Sequence, residues 1–355
     1  MVIMPQLTLD VIKIFSLGTV SFLLAFFLTP ALTNLMYKYK LWKKTSRKKS
    51  IDGKEIPVFQ KFHQGEEIRI PRFGGLLIWL TPLVLAFLLL GLTKTDFWLF
   101  QKLSFLSRNQ TWLPLFALVV AALIGLADDV LQVLGRGKYI GGGLKLKYRL
   151  ILMALLGLIG GLWFYFKLDW HTLHVPGGGD LLIGFWYIPL FIFVMMATYS
   201  GGVIDGLDGL AGGSFAAMFG AFSIIALYMG QIDLATFCAV VLGALLSFLW
   251  FNIPPARFYM GETGMMGLCA ALTVVAFLTD SVLVLPIIGF LLVIESGSVI
   301  LQLLSKKFRR KKLFLATPLH YHFEAKGWPH YKVTMRFWVI GIVMAIIGVT
   351  IRLLG

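Results

Sequence analysis

Six carboxylates stand at breaks between long apolar runs. Asp128 and Asp129 close the run LVVAALIGLADDV, and Asp205 and Asp208 lie three residues apart among the six glycines of SGGVIDGLDGLAGG. Glu262 follows in FNIPPARFYMGETG, and Glu324 sits beside His320 and His322 in TPLHYHFEAKGW. Taken singly, an acid at a helix end reads as a cap or a solvated group. Four separate segments that deliver acids, two of them as pairs, favour a shared site instead. Clustered carboxylates with few cations beside them repel one another and favour a divalent ion. Mg2+ prefers oxygen ligands that it shares with substrate phosphate. The glycines would let main chain approach such a phosphate closely. The chemistry expected is therefore a Mg2+-bridged pyrophosphate at a membrane surface. The basic run Lys145, Lys147, Arg149 reads either as a contact to lipid phosphate or as a set of interfacial anchors.

The elements that must position these residues are transmembrane helices. Hydrophobic residues make up 58% of the 355-residue chain, charged residues only 14%, and the mean hydropathy is +0.85. A hydrocarbon core of about 30 Å takes roughly 20 apolar residues per helix, with all backbone hydrogen bonds closed internally. On that template ten spans are expected, near 11–36, 73–92, 112–127, 149–166, 182–200, 210–229, 234–251, 264–280, 283–304 and 336–354. The first is longer than a signal-peptide core and lacks a basic leader, so it is read as a retained span. The fold class expected is an all-α polytopic membrane protein, one integral domain over residues 1–355.

Alternating loops then form two sets. The set near 37–72, 128–149, 201–209, 252–263 and 305–336 carries 26 of the 32 Lys and Arg residues. By the positive-inside rule this set is cytoplasmic and both termini are outside. The net charge of +15 is thus mostly a topology signal, with anionic lipid or substrate as a second use, and nucleic acid is not needed to explain it. The acids Asp128, Asp129, Asp205, Asp208, Glu262 and Glu324 all fall on the basic side. Cys238 and Cys269 lie in apolar runs and suggest neither a disulfide nor a thiolate metal site. Glu295, in LLVIESGSVI, is an acid inside an expected span whose partner the sequence does not name.

The stretches ADDV (127–130), DGLDGLAGG (205–213), FYMGETG (258–264) and TPLHYHFEAKGWPHYKVTMRFW (317–338) resemble the phospho-N-acetylmuramoyl-pentapeptide transferase family of bacterial peptidoglycan synthesis. This family is a branch of the polyprenyl-phosphate N-acetylhexosamine-1-phosphate transferases. The resemblance runs from about Phe73 to the C-terminus. It implies ten helices in the bacterial inner membrane, a homodimer, and Mg2+-dependent transfer from UDP-MurNAc-pentapeptide to undecaprenyl phosphate, giving lipid I and UMP. It also implies roles. Glu262 is the first choice as Mg2+ ligand, with Asp128 or Asp129 near the same ion, and Asp128 positions or deprotonates the lipid phosphate. Asp205, Gly206, Leu207 and Asp208 line the uracil and ribose pocket, and Tyr259 offers an aromatic face. His320 and His322 contact donor phosphate or sugar, or else order their own loop.

The chain departs from the family pattern at several places. Tyr199 and Gly202 replace an asparagine-containing run, Glu262 replaces an aspartate, and Tyr321 replaces the middle of three histidines. Glu67 stands where a lysine is usual, and Arg69 or Arg72 supplies the missing charge. Glutamate keeps the oxygen ligand and lengthens its reach, so an active enzyme is expected. Three other readings stay open: a sister transferase with another UDP-N-acetylhexosamine donor, a lipid-linked transporter or flippase, and a non-catalytic binding relative.

Overall fold

The computed structural model describes residues 3–44, 68–95, 97–137 and 142–355. Glu67 and most of the expected basic loop 37–72 lie outside the described residues.

The helices are α1 (Ile3–Lys38), α2 (Gly75–Leu92), the short α3 (Trp98–Leu103), α4 (Trp112–Val133), α5 (Leu146–Leu162) and α6 (Tyr187–Ser200). They continue with α7 (Leu210–Tyr228), α8 (Ile232–Asn252), α9 (Gly261–Leu278), α10 (Leu285–Ile288), α11 (Phe290–Arg309), α12 (Leu319–Ala325) and α13 (His330–Leu354). Among the described residues, nine helical segments are long and apolar enough to cross a bilayer. A polytopic α-helical membrane protein satisfies its backbone this way because each span closes its own hydrogen bonds. Lipid-facing side chains such as Phe15, Phe27, Phe166, Phe193 and Ile346 are exposed, as apolar surface is where hydrocarbon takes the place of water.

The pillar of the bundle is α9, whose residues from Thr263 to Leu278 are all buried. It packs against α2, α4, α6 and α7. Threonines on this helix satisfy themselves within the bundle: Thr273 meets Thr198 of α6 at 2.7 Å, and the Thr263 hydroxyl donates to the Ala122 carbonyl of α4. Toward one end the core is aromatic, with Phe191 stacked on Phe277 at 4.2 Å and Phe164 and Tyr187 around them. Close crossings elsewhere use small residues, as where Gly18 of α1 meets Ala239 and Gly243 of α8.

Contacts divide the bundle into two faces. Lys13 donates to Asp233 at 2.8 Å and to the Ser104 carbonyl, and Arg352 of α13 donates to Ser281. A two-stranded antiparallel hairpin, β1 (Thr172–Val175) and β2 (Gly179–Leu182), lies on this same face, where the His174 amide donates to Asp280. The early part of α1 and the end of α13 therefore share one face, and the acidic site residues occupy the other.

Three expected boundaries are corrected. The run near 112–127 continues to Val133, so Asp128 and Asp129 belong to the last turns of α4 and not to a loop. Likewise α9 begins at Gly261, which puts Glu262 in its first turn. The expected span over 283–304 is broken: α10 ends at Gly289, and α11 starts anew and carries the buried Glu295, Ser298 and Gln302. It is not among the nine apolar segments; Glu295 lies within it, and Lys306, Lys307 and Arg309 charge its last turn. Still, the chain between Asp280 and Glu295 passes from one face to the side chains of the other, and in that sense it makes the tenth traverse.

The orientation has a simple test. Asn109 is exposed on the hairpin face and Lys312 on the opposite, basic side, while the native Cys238 and Cys269 are fully buried. A cysteine at Asn109 is expected to react with an impermeant maleimide on intact cells, and one at Lys312 only after permeabilisation. The reverse pattern overturns the positive-inside assignment.

Candidate active site

Helix ends from α2, α4, α5, α7 and α9 converge on the basic face. Gly125 of α4 lies so close to α9 that a methyl there would overlap the main chain of Glu262. This approach brings the end of α4 over the start of α9. Gly261 has φ +74, a left-handed conformation that glycine takes without penalty, and a Cβ there would meet Asp129 Oδ2 at 2.6 Å. Both glycines serve the same contact.

Asp129 is fully buried, and its two oxygens accept the amides of Glu262 (3.1 Å) and Thr263 (2.9 Å). A carboxylate supplied by α4 thereby satisfies amides that the first turn of α9 leaves open, where the helix dipole favours negative charge. The Arg72 guanidinium stands 4.0 Å away. Asp128, 1% exposed, turns to the other side of α4: it accepts from the Leu144 amide and from Gln132 at 2.7 Å, and Arg149 lies 3.6 Å from it. Arg149 also donates to Glu262, and the Tyr199 hydroxyl approaches the other oxygen of Glu262 at 3.4 Å. Arg149 thus bridges Asp128 and Glu262. Its side chain is buried, whereas Lys147 and Arg69 are exposed and are not drawn into this cluster.

Asp205 follows a short 3-10 turn (Gly201–Ile204) and is hydrogen-bonded by the Gly261 amide. Burial pushes its carboxyl up to about 6, against the opposing pull of Arg72. Asp208 has another task in the fold: it accepts the Ala256 amide at 3.0 Å and ties its loop to the segment after α8. Gly206 is covered by the His320 ring and by Tyr321, whose hydroxyl donates to the Gly206 carbonyl at 3.1 Å. Leu207 is buried in the core, and half-buried Tyr259 pairs its amide with the Pro71 carbonyl at 2.7 Å.

His320 and His322 do not form a pair. Residues two apart on a helix project about 200° apart, so α12 sends His320 inward and His322 outward. His322 accepts the Leu315 amide at 3.2 Å beside Phe314, and burial, with Lys326 next, lowers its pKa. Tyr199 and Gln132 were missed as site residues. The available signal for Tyr199 is its place in the last turn of α6, directly ahead of the DGLDGL loop.

Charge decides whether a metal suits this place. Four carboxylates (Asp128, Asp129, Asp205, Glu262) face two guanidinium groups (Arg72, Arg149), and burial penalises the excess negative charge. A divalent cation would offset the difference. Asp128 and Glu262 fit as its ligands, because both already bracket a cationic group and both are hard oxygen donors.

The glycosyl transferase family 4 profile matches residues 111–280. A phospho-N-acetylmuramoyl-pentapeptide-transferase from a Geobacillus species is 35% identical over 315 residues, covering 84% of this chain and 92% of that protein. The protein of the same name from Levilactobacillus brevis is 36% identical over 313 residues, 84% of this chain and 93% of the relative. That from Bacillus licheniformis is 34% identical over 312 residues, with shares of 84% and 92%.

Proposed function

Because the chain belongs to the phospho-N-acetylmuramoyl-pentapeptide transferase family, and is therefore a multi-pass phospho-sugar transferase of the bacterial inner membrane acting in peptidoglycan synthesis, we propose how its own residues perform the transfer. The donor is UDP-MurNAc-pentapeptide, the acceptor undecaprenyl phosphate, the ion Mg2+, and the products lipid I and UMP. The observation that carries this reading is the convergence of Asp128, Glu262 and Arg149 on one face of the bundle, beside the Asp205 loop.

In this reading Asp128 and Glu262 hold Mg2+, which when bound supplies Lewis-acid charge to the pyrophosphate oxygens. Asp129 positions Glu262 through the amides at the start of α9. Arg149 neutralises phosphate charge between Asp128 and Glu262, and Asp128 orients the lipid phosphate. An oxygen of that phosphate attacks the sugar-proximal phosphorus, and the bond to UMP breaks. Alignment and charge neutralisation supply most of the acceleration, since phosphoryl transfer asks little covalent chemistry of the protein. Asp205, with Gly206 and Tyr259, receives the nucleoside. Arg69 and Lys147, exposed at the rim, meet phosphate or headgroup charge as the substrates enter.

The test is donor selectivity. Purified protein with undecaprenyl phosphate and Mg2+ is expected to release UMP from UDP-MurNAc-pentapeptide and not from UDP-GlcNAc; the opposite preference would assign a sister branch. Transport of a lipid-linked sugar finds less support, because its ionisable groups belong near the bilayer midplane. Glu295, the residue that suggested it, instead pairs with His320.

The Asp205 assignment predicts a pH dependence. Its carboxyl is raised, so the ionised acceptor is lost as pH falls through about 6. The kcat/KM for donor should fall over that range. Asp205→Asn should flatten this limb and raise donor KM about tenfold with the Mg2+ requirement unchanged, in keeping with one hydrogen bond to a charged group. A large rise in the Mg2+ requirement with donor KM unmoved would place Asp205 in the metal shell.

A further inference from the structure

Glu295 and His320 come from different helices and are both fully buried. Glu295 Oε1 accepts the His320 amide at 3.2 Å, and Oε2 meets the ring Nδ1 at 3.0 Å. One carboxylate thus does two things. It satisfies an open amide in the first turn of α12, and it grips the ring of the same residue.

The other ring nitrogen is the telling atom. His320 Nε2 is buried and has no hydrogen-bond partner among the described residues. It lies against Gly206, where any side chain would strike it. A buried polar atom without a partner is costly, so the open Nε2 calls for a reason. Here one nitrogen is held from behind and the other is aimed at the loop that carries Asp205 and Asp208. Tyr321, next along α12, fastens that loop through the Gly206 carbonyl, so the aim is fixed from both sides.

We propose that Glu295 is a positioning residue for the transfer reaction: it holds His320 with Nδ1–H directed back to its carboxylate, which leaves Nε2 as the ring atom presented to the donor bound over the Asp205–Asp208 loop. Glu295 Oε1 already accepts the His320 amide, and in the proposed arrangement the proton of the Oε2···Nδ1 contact sits on Nδ1. The hydrogen bond at one nitrogen sets the state of the other. The inference rests on the transferase reading, because that reading places a donor on this loop.

The tautomer is measured first, without substrate. In 15N-histidine-labelled protein in detergent, the His320 signals are assigned by their loss in His320→Gln. Nδ1 is expected to be the protonated nitrogen facing Glu295, and Glu295→Gln should abolish that single state. A parent ring with Nδ1 bare and Nε2 protonated would overturn the proposal.

Turnover is measured second, by UMP release. Glu295→Gln is expected to lose at least about thirtyfold in kcat, as when a carboxylate that orients a functional histidine is neutralised. Glu295→Asp, which keeps both acceptor oxygens and the charge, should recover part of the loss and also guards against a Gln variant that fails to fold. The double variant Glu295→Gln, His320→Gln should be no slower than His320→Gln alone. Independent, multiplying losses with unchanged thermal unfolding would show a structural role and sink the proposal. If the parent released no UMP, the transferase reading would fail while the tautomer measurement still stood.

Discussion

Glu262→Gln is expected to cut UMP release at least a hundredfold, about 3 kcal/mol of transition-state stabilisation. Glutamine keeps the shape of the side chain and removes the charge that the site uses. In the folded protein that charge pairs with Arg149 and faces Asp128 across it, with Tyr199 on its second oxygen. On the proposed metal role, loss of the charge removes a ligand that a hard divalent ion needs, and it takes from Arg149 its Glu262 partner. Raising Mg2+ should recover only a part of the activity. Glu262→Asp keeps the charge with one methylene less reach, and it should retain appreciable activity only if the first turn of α9 follows the ion. Turnover of the Gln variant at the parent rate, with the same Mg2+ titration curve, would show that Glu262 is no more than a helix-start residue.

Asp129→Asn is expected to act through the fold. Both Asp129 oxygens accept main-chain amides of α9, and the residue is fully buried. Asparagine offers one acceptor, and its amide nitrogen must face an N–H that it cannot serve. The cost is about 2–3 kcal/mol of stability, from a buried donor left unpaired and a charge–helix interaction lost. Since those amides hold Glu262 in place, turnover should fall by roughly a hundredfold as well. The comparison with Asp128→Asn separates the two neighbours. That variant should raise the Mg2+ requirement and leave thermal unfolding in detergent near the parent value. Equal unfolding behaviour of both variants, with matching shifts in Mg2+ requirement, would place both aspartates on the metal.

The difference between these neighbours was not legible in the residue order. ADD reads as a pair of equivalent carboxylates, but adjacent positions on a helix project about 100° apart. Which of the two meets α9 depends on the rotation of α4, and that follows from the close approach at Gly125. The same holds for the histidines. PLHYHFE looks like a two-histidine site, yet α12 directs one ring to Glu295 and the other to the Leu315 amide. Among the basic residues in the first turn of α5, spacing alone left Lys147 and Arg149 on equal terms, and Arg149 is the one turned inward to the carboxylates.

By itself the sequence determined the solvent, the class of fold and the chemical face. Apolar runs of bilayer length have few ways to close their backbone hydrogen bonds, so they become helices whatever their neighbours are. The bias of Lys and Arg between alternate loops sorts those helices by side, and the acidic and glycine-rich segments fall on the basic side because they terminate the same runs. The family likeness was also carried by contiguous residues, from ADDV to the histidine block. Tertiary structure alone decided which side chains meet: Asp129 with the start of α9, Arg149 between Asp128 and Glu262, and Glu295 with a histidine 25 residues further on. It also broke the expected span at Gly289 and set Glu295 against His320. Local pattern says which residues are apolar and where helices stop, whereas helix rotation and depth are set by packing between segments distant in the chain.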